Sequence, residues 1–377
     1  MPWREVSIME LREEFCELAL KEGANMSALC RRFEISRTTG YEWRDRYLQT
    51  GRPGLADRSR RPRESPWKTS AEIEDEVITL RHQHPAWGGR KLRAVLLRRG
   101  IVSPSASTIT EILRRHELLS SQESWRQTPT RFEAPFPNDL WQMDYKGHFP
   151  LTSAARCHPL TVLDDHARFA LGIRALSNQR ETTVKAELIQ LFERYGLPNR
   201  ILCDNGSPWG TSTHGIFTGL AVWLLHLDVI MTHGRPLHPQ TQGKDERFHR
   251  TLKDEVISTR SFHSLDHAQT AFDVFRHTYN HLRPHEALAL LPPITRYAPS
   301  VRSYPMQLPL IEYPDTAVVR NVTSRGVIKF EGREYYLGEA FSGYPVGLFS
   351  SEDDGTKKVL FRHYPVATID VRTPVEV

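Results

Sequence analysis

The chain of 377 residues holds only four cysteines, Cys16, Cys30, Cys157 and Cys203, and none stands in a CxxC spacing. That scatter argues against a disulfide framework or a zinc finger and for a reduced, cytoplasmic setting. There is no run of about 18 apolar residues, so no membrane span and no membrane partner is expected. The opening MPWREVSIMELREEFCELAL sets acids among its apolar positions and lacks the apolar centre of a signal peptide. A GxxxxGK[ST] phosphate loop is missing, which leaves nucleotide hydrolysis unsupported. His82 and His84 have no cysteine nearby, which argues against a zinc site there.

What is present is an ordinary globular composition, 39% hydrophobic and 25% charged, in a chain long enough for two or three domains. The net charge of +5 is unevenly spread. Residues 1–131 carry 24 Lys and Arg against 18 acids, whereas the remainder carries 26 against 27. Within 31–63 alone, ten arginines meet four acids. A basic first third on a balanced chain is the footprint of a polyanion partner.

Residues 1–51 read as a first helix-turn-helix unit of three helices. Ile8, Leu11, Phe15 and Leu18 share one helical face. Asn25 or Ser27 caps a second helix, and Ser36 caps a third, RTTGYEWRDRYLQ, which Gly51 ends. On that third helix Gly40, Trp43 and Tyr47 face inward, leaving Arg37, Thr38, Tyr41 and Arg44 for a DNA major groove. Residues 52–69 form a basic linker whose Arg58, Arg60, Arg61 and Arg63 suit a DNA backbone or minor groove. A second helix-turn-helix unit is expected over 70–119, with Ile73, Val77 and Leu80 on one face and Arg90 and Lys91 as further DNA contacts. Residues 120–135 are a polar linker.

From 136 to 300 the pattern changes to three strands, DLWQMDYKGHF, HPLTVLDDHAR and RFALGIRAL, followed by alternating helices and short strands. This order indicates an α/β core with a mixed sheet. Residues 305–377 are short β-branched or aromatic runs punctuated by glycine, as in a small β-barrel or β-sandwich.

Three acids stand where chemistry can use them. Asp144 lies within a strand, where an acid is disfavoured unless it faces a site. Asp204 closes a short apolar strand, and strand ends of α/β sheets are where sites gather. Glu246 opens a helix whose packing stripe is Phe248, Leu252 and Val256; it lies ~160° from Phe248 around the axis. Arg250 and Lys253 fall near its own face, so a carboxylate and two cations share one row. Carboxylates meeting at one point repel unless hard divalent cations neutralise them. A pair of such ions about 4 Å apart serves phosphoryl transfer without a protein nucleophile. Asp164 and Asp165 also end a strand and read as turn or supporting residues. His233, His238 and His249 flank the loop and helix; a place near the site is one reading of each, and a satisfied surface histidine is the preferred one.

WQMDYKG, LDDHARFALG, LCDNGSPW, HPQTQGKDERFHRTLKDE and YNHLRPHEAL together resemble the catalytic core of bacterial insertion-sequence transposases of the retroviral-integrase superfamily, over about 135–298. Upstream, EISRTTGYEWRDRY, GLADRSRRP and HPAWGGRKL resemble the DNA-binding arms of the same transposases. The resemblance implies a ribonuclease H-like core with a mixed five-stranded sheet. It makes Asp144, Asp204 and Glu246 the catalytic, metal-binding acids, and Lys253 a basic residue near DNA. It also implies two Mg2+ ions, with Mn2+ able to substitute, and a homo-multimer that brings both terminal repeats of the element together on double-stranded DNA. In such proteins an exposed 3′-hydroxyl attacks a target phosphodiester with no covalent enzyme intermediate. The chain departs from the family's common pattern in the separation of Asp204 and Glu246, which is 42 positions. The surplus falls in GTSTHGIFTGLAVWLLHL, where a longer helix or an insertion is expected. It also lacks the His-His-Cys-Cys zinc unit of retroviral integrases. A DNA-binding regulator on an inactive core, or a nuclease that cuts without joining, are the competing readings.

Overall fold

The computed structural model describes residues 7–58, 69–119, 133–204, 206, 209–210, 217–233, 243–351 and 355–372. Two compact units divide the chain, residues 1–68 and 69–377.

In the first unit three helices, α1 (Ile8–Ala19), α2 (Met26–Arg32) and α3 (Arg37–Thr50), each begin at a side-chain cap. Ser7 and Glu10 form a capping box, and Asn25 and Ser36 cap the other two. These caps satisfy backbone N–H groups that the first turn leaves free. Phe15, Cys16, Cys30 and Leu55 form the core, with Trp43 and Tyr47 of α3 against it. Gly40 is what lets α3 seat so closely: a Cβ there would stand 2.6 Å from Cys30 Sγ and 2.9 Å from the Phe15 ring. The expected inward face of α1 needs correction. Ile8 and Leu11 are 68% and 41% exposed, and Met9, Phe15, Cys16 and Ala19 pack instead. The true stripe is rotated toward small residues that permit close helix contact, which an apolar count alone overlooks.

The second unit opens with α4 (Ala71–Gln83), α5 (Gly89–Arg98) and α6 (Ala106–Arg115). Val77, Leu80, Trp87, Leu92, Leu96, Ile109 and Ile112 fill the space between them. A mixed sheet follows, made of β1 (Leu140–Tyr145), β2 (Phe149–Pro150), β3 (Arg156–Asp164), β4 (Ala170–Leu176), β5 (Arg200–Cys203) and β6 (Ile230–His233). The order is β4–β3–β1–β5–β6, with the two-residue β2 also on β3, giving six strands where five were expected. β3 runs antiparallel to both of its neighbours, β4 and β1; β1, β5 and β6 run parallel.

Helices cover both faces of this sheet. α7 (Glu181–Tyr195) and α8 (Gly219–His226) enclose Trp141, Met143, Leu160 and Val162 on one side. α9 (Gly243–Glu255) and α10 (Leu265–His281) enclose Leu163, Ala170 and Ile173 on the other. α8 has eight residues, so the surplus chain before α9 does not lengthen this helix; residues 211–216 lie outside the described residues. Every residue of α8 from Leu220 to His226 is buried. Leu220, Trp223 and Leu224 join the sheet's core, whereas Val222 and Leu225 join the core of the tail.

The tail holds β7 (Val318–Asn321), β8 (Val327–Phe330), β9 (Arg333–Tyr336), β10 (Pro345–Ser350), β11 (Thr356–Phe361) and β12 (Tyr364–Asp370). Among the described residues these make an open four-stranded sheet, β12–β11–β10–β7, and a separate β8–β9 pair over one shared core. Of the barrel or sandwich expected here, the closed barrel is not formed among the described residues: β7 is exposed at all four positions and lies at an edge. No helix among the described residues is long and apolar enough to cross a membrane.

Candidate active site

Asp144 lies near the end of β1, on the sheet face opposite Trp141 and Met143. The β1–β5 register pairs Leu140 with Arg200 and Gln142 with Leu202, a constant offset of sixty. Continued by two residues, that offset sets Asp204 beside Asp144, just past the last residue of β5. Burial, followed in effect by repulsion from Asp204, pushes the Asp144 carboxyl up to about 6, against a bond from the Tyr145 N–H. Two acids at adjacent parallel strand ends are an arrangement that a cation relieves.

The Asp204 loop is held from several directions. Asp204 Oδ1 accepts from Gly206 N at 3.0 Å, and its backbone carbonyl lies 2.7 Å from His233 Nδ1. Beneath the loop the buried Trp209 ring stacks on Tyr145, centroids 5.4 Å apart.

Across the site runs α9. Phe248 and Leu252 anchor it to the sheet, and its first turn carries both Asp245 and Glu246. Glu246 is exposed. Asp245 is 2% exposed, its Oδ1 has no hydrogen-bond partner, and burial with repulsion from Asp144 and Asp165 drives its carboxyl well above the usual range. Among the described residues no three His, Cys, Asp or Glu side chains are grouped to hold a metal ion. The structure therefore brings Asp144 and Asp204 together and leaves Glu246 on the outer face of α9. Arg250 and Lys253 are exposed on that same helix.

Several supporting residues escaped the sequence reading. His249 is buried rather than a surface residue: Nε2 lies 2.7 Å from Thr161 Oγ1 and Nδ1 lies 3.9 Å from Asp144 Oδ2. Burial pushes its imidazole down to about 4, so it is neutral at pH 7. Thr161, the cross-strand partner of Asp144, also donates to the Asp144 carbonyl at 3.0 Å. His238 lies outside the described residues.

Asp164 and Asp165, both fully buried, build the turn beside the site. Asp164 accepts from Ala167 N and Asn138 N at 2.6 and 2.7 Å. Asp165 accepts from Ala134 N and Gln142 Nε2, each at 2.6 Å, and pairs with Lys244 Nζ at 2.6 Å. A lysine two residues before Glu246 is thus locked to the strand next to Asp144. The one available signal for it was an adjacent Lys-Asp-Glu run with room for a single acid at the packing face.

Of the expected DNA contacts, Arg37, Thr38 and Tyr41 are exposed on α3. Arg44 lies over the Tyr41 ring at 4.9 Å and pairs with Asp45 at 2.7 Å. Arg58 is exposed, whereas Arg60, Arg61 and Arg63 lie outside the described residues. Arg90 pairs with Glu286 of the core at 3.3 Å, and Lys91 lines a cavity beside it.

Family models match the chain in order. A helix-turn-helix domain matches 12–63 and a homeodomain-like domain 39–113. Integrase core domains match 134–239 and 227–293, and the C-terminal domain of IS481 family transposases matches 317–376. The uncharacterized 39.2 kDa protein of insertion element IS476 from Xanthomonas euvesicatoria is 26% identical over 60% of this chain and 65% of its own length. The uncharacterized 31.7 kDa protein of insertion element IS407 from Burkholderia multivorans is 26% identical over 58% of this chain and 77% of its own. The chain thus spans just under two thirds of the first of these relatives. A chain of the simian T-cell lymphotropic virus intasome in complex with a PP2A regulatory subunit aligns with 75% of this chain and 91% of its own, at 15% identity and a TM-score of 0.40. With helix-turn-helix, integrase-core and transposase C-terminal models following one another along it, and insertion-element proteins among its relatives, the chain is similar, segment after segment, to the bacterial insertion-sequence transposases of the integrase superfamily.

Proposed function

We propose that the protein binds the terminal repeats of its own element, exposes their 3′-hydroxyl ends and joins them to target DNA. The observation that carries this reading is the convergence of Asp144 and Asp204 at adjacent parallel strand ends. The competing readings are a DNA-binding regulator on an inactive core and a nuclease that does not join.

The donor set fits a hard divalent cation. Asp204 adds to the cost of ionising Asp144, and the oxygens of both are the ligand type that Mg2+ prefers. Asp144, Asp204 and Glu246 would hold two Mg2+ ions, for which Mn2+ can stand in. Such ions polarise the scissile phosphate and activate the attacking oxygen when bound.

The remaining roles belong to the chain. Lys244, tied to Asp165, fixes the first turn of α9 so that Glu246 is delivered on a rigid element. Neutral His249 holds Thr161 and the Asp144 strand without adding charge. Arg250 and Lys253, on the Glu246 side of α9, take backbone phosphates of the DNA being cut. Arg37, Thr38, Tyr41 and Arg44 read a major groove, and Arg58, Arg60, Arg61 and Arg63 follow the backbone beyond it. Arg90 and Lys91 serve the second helical unit. The first step breaks a P–O3′ bond with water, leaving a free 3′-hydroxyl and a 5′-phosphate on the departing strand; the second exchanges one phosphodiester P–O bond for another, so joining needs no nucleotide energy source. A homo-multimer would hold both element ends at once.

The test uses purified protein and the DNA flanking its own gene, with Mg2+ or Mn2+, beside an Asp204→Asn variant. Metal-dependent 3′-end cleavage and joined products, both absent with the variant, are expected. Sequence-specific binding without cleavage under either metal would favour the regulator, and cleavage without joined products the nuclease.

A further inference from the structure

On the side of α9 away from Asp144, a cavity of about 180 Å³ opens between α5, α9 and residues 283–287. Its size admits roughly six waters at about 30 Å³ each, or a phosphate group with part of its hydration. Six cations line it: Lys91 from α5, Arg168 from the β3–β4 turn, Lys244, Arg247 and Arg250 from α9, and Arg283. Three carboxylates share the lining, Asp254, Glu255 and Glu286. Two of those are engaged, Glu255 by Arg283 and Glu286 by Arg90, while Lys244 is taken by Asp165. Among the described residues, the side chains of Arg168, Arg247 and Arg250 make neither an ion pair nor a hydrogen bond, so the cavity holds uncompensated positive charge.

Arg168 is the most telling of the three. It sits at φ 58, in the left-handed region that non-glycine residues rarely occupy. The Asp164 carboxylate, by capping Ala167 N, holds the turn that puts it there. Its Nε is buried without a partner, and burial lowers its basicity. A strained backbone that carries a desolvated guanidinium into a basic cavity is costly unless an anion completes it. Guanidinium forks match phosphodiester oxygens two at a time.

The position of the cavity selects the anion. It lies at the joint of the second helical unit and the core, where Arg98 Nη2 donates to the Leu282 carbonyl at 2.6 Å. Arg250 leads from it toward the catalytic face, four residues and ~40° from Glu246 around α9. We propose that this cleft is a backbone-phosphate site for duplex DNA, in which Arg168 and Arg247 grip the strand as it passes from the second helical unit to the catalytic helix. This rests on the reading of the protein as a DNA-acting transposase and adds a contact that reads no bases.

The test measures binding of the full chain to two labelled duplexes of equal length, one from the element end and one unrelated, across a salt series. Arg168→Ala and Arg247→Ala should each weaken both duplexes about tenfold and reduce the log–log salt slope by about 0.9 per lost contact. The preference for the element end should persist. Arg247 is exposed, so its variant carries the test if Arg168→Ala fails to fold, and Arg168→Lys should keep the salt slope while losing part of the affinity. Unchanged slopes in both alanine variants would overturn the proposal. So would inorganic phosphate that raises the melting temperature of the wild type, but not of Arg247→Ala, with duplex binding unaffected; the cleft would then serve a free anion. A wild type that binds DNA in this arginine-dependent way yet never cuts it would refute the transposase reading and leave the cleft standing.

Discussion

Lys244 Nζ and Asp165 Oδ2 meet at 2.6 Å, with the side chains 10% and 0% exposed, and join the first turn of α9 to the end of β3. The same ammonium reaches the Asp165 carbonyl at 2.8 Å. Removing one partner of a buried pair leaves the other charge stranded. Lys244→Met should therefore cost about 3 kcal/mol in denaturant unfolding and lower cleavage more than DNA binding. Cleavage that stays at wild-type level would show that α9 is positioned by other contacts.

The two acids of that first turn should separate cleanly. Glu246→Gln is expected to lower metal-dependent cleavage at least about a hundredfold with duplex affinity kept. Asp245→Asn replaces a buried carboxyl that has repulsive neighbours and an unpartnered oxygen. It should stabilise the fold by about 1 kcal/mol and spare the chemistry. The reverse pattern in cleavage assays would assign the third carboxylate to Asp245.

Titration in EDTA offers a second check on the site. The Asp144 carboxyl, raised to about 6 by burial and Asp204, lends stability that is complete below its unfolded value and is lost as pH rises through 6. His249, lowered to about 4 by burial, lends stability that is present above its unfolded value and is lost as pH falls toward 4. The two oppose each other across the same window, so the wild type alone conceals both. The melting temperature of Asp144→Asn minus that of wild type should become more positive between pH 5 and 7.5, and added Mg2+ should reverse the gain. A difference that is flat with pH would mean Asp144 ionises in an ordinary environment.

Arg37 and Arg44 should not contribute equally to end recognition. Arg44 is committed to Asp45 and Tyr41, whereas Arg37 stands exposed at the start of α3. Arg37→Ala should cost about 1–3 kcal/mol in binding the element end if it reads a base, with Arg44→Ala costing less. Equal and negligible losses would move the recognition surface elsewhere.

The helices of both N-terminal units and the strands of the core were legible because their signals are local: a cap, a 3.6-residue stripe, a short apolar run. Asp144 and Asp204 stood out because an acid is conspicuous at a buried strand's end. The roles of Lys244, His249 and Arg168 were not legible. A Lys–Asp pair across 79 positions, or an arginine aimed inward by a left-handed turn, leaves no periodic trace in the sequence. The tail misled for a related reason. Glycine-punctuated strands predict pairing but not whether the last strand returns to the first, and here it does not.

α8 presents Trp223 and Leu224 to the sheet but Val222 and Leu225 to the tail. His226 Nε2 meets the Pro309 carbonyl at 2.7 Å, and Arg362 pairs with Asp228 at 2.9 Å. A chain that stops after α10 would return Val222 and Leu225 to water at about 1.5–3 kcal/mol each. It would do so on a helix too short to hold its shape alone. A core excised at its apparent boundary should therefore precipitate rather than fold, and a copy of the element truncated before β7 should leave no free core to compete with the intact protein.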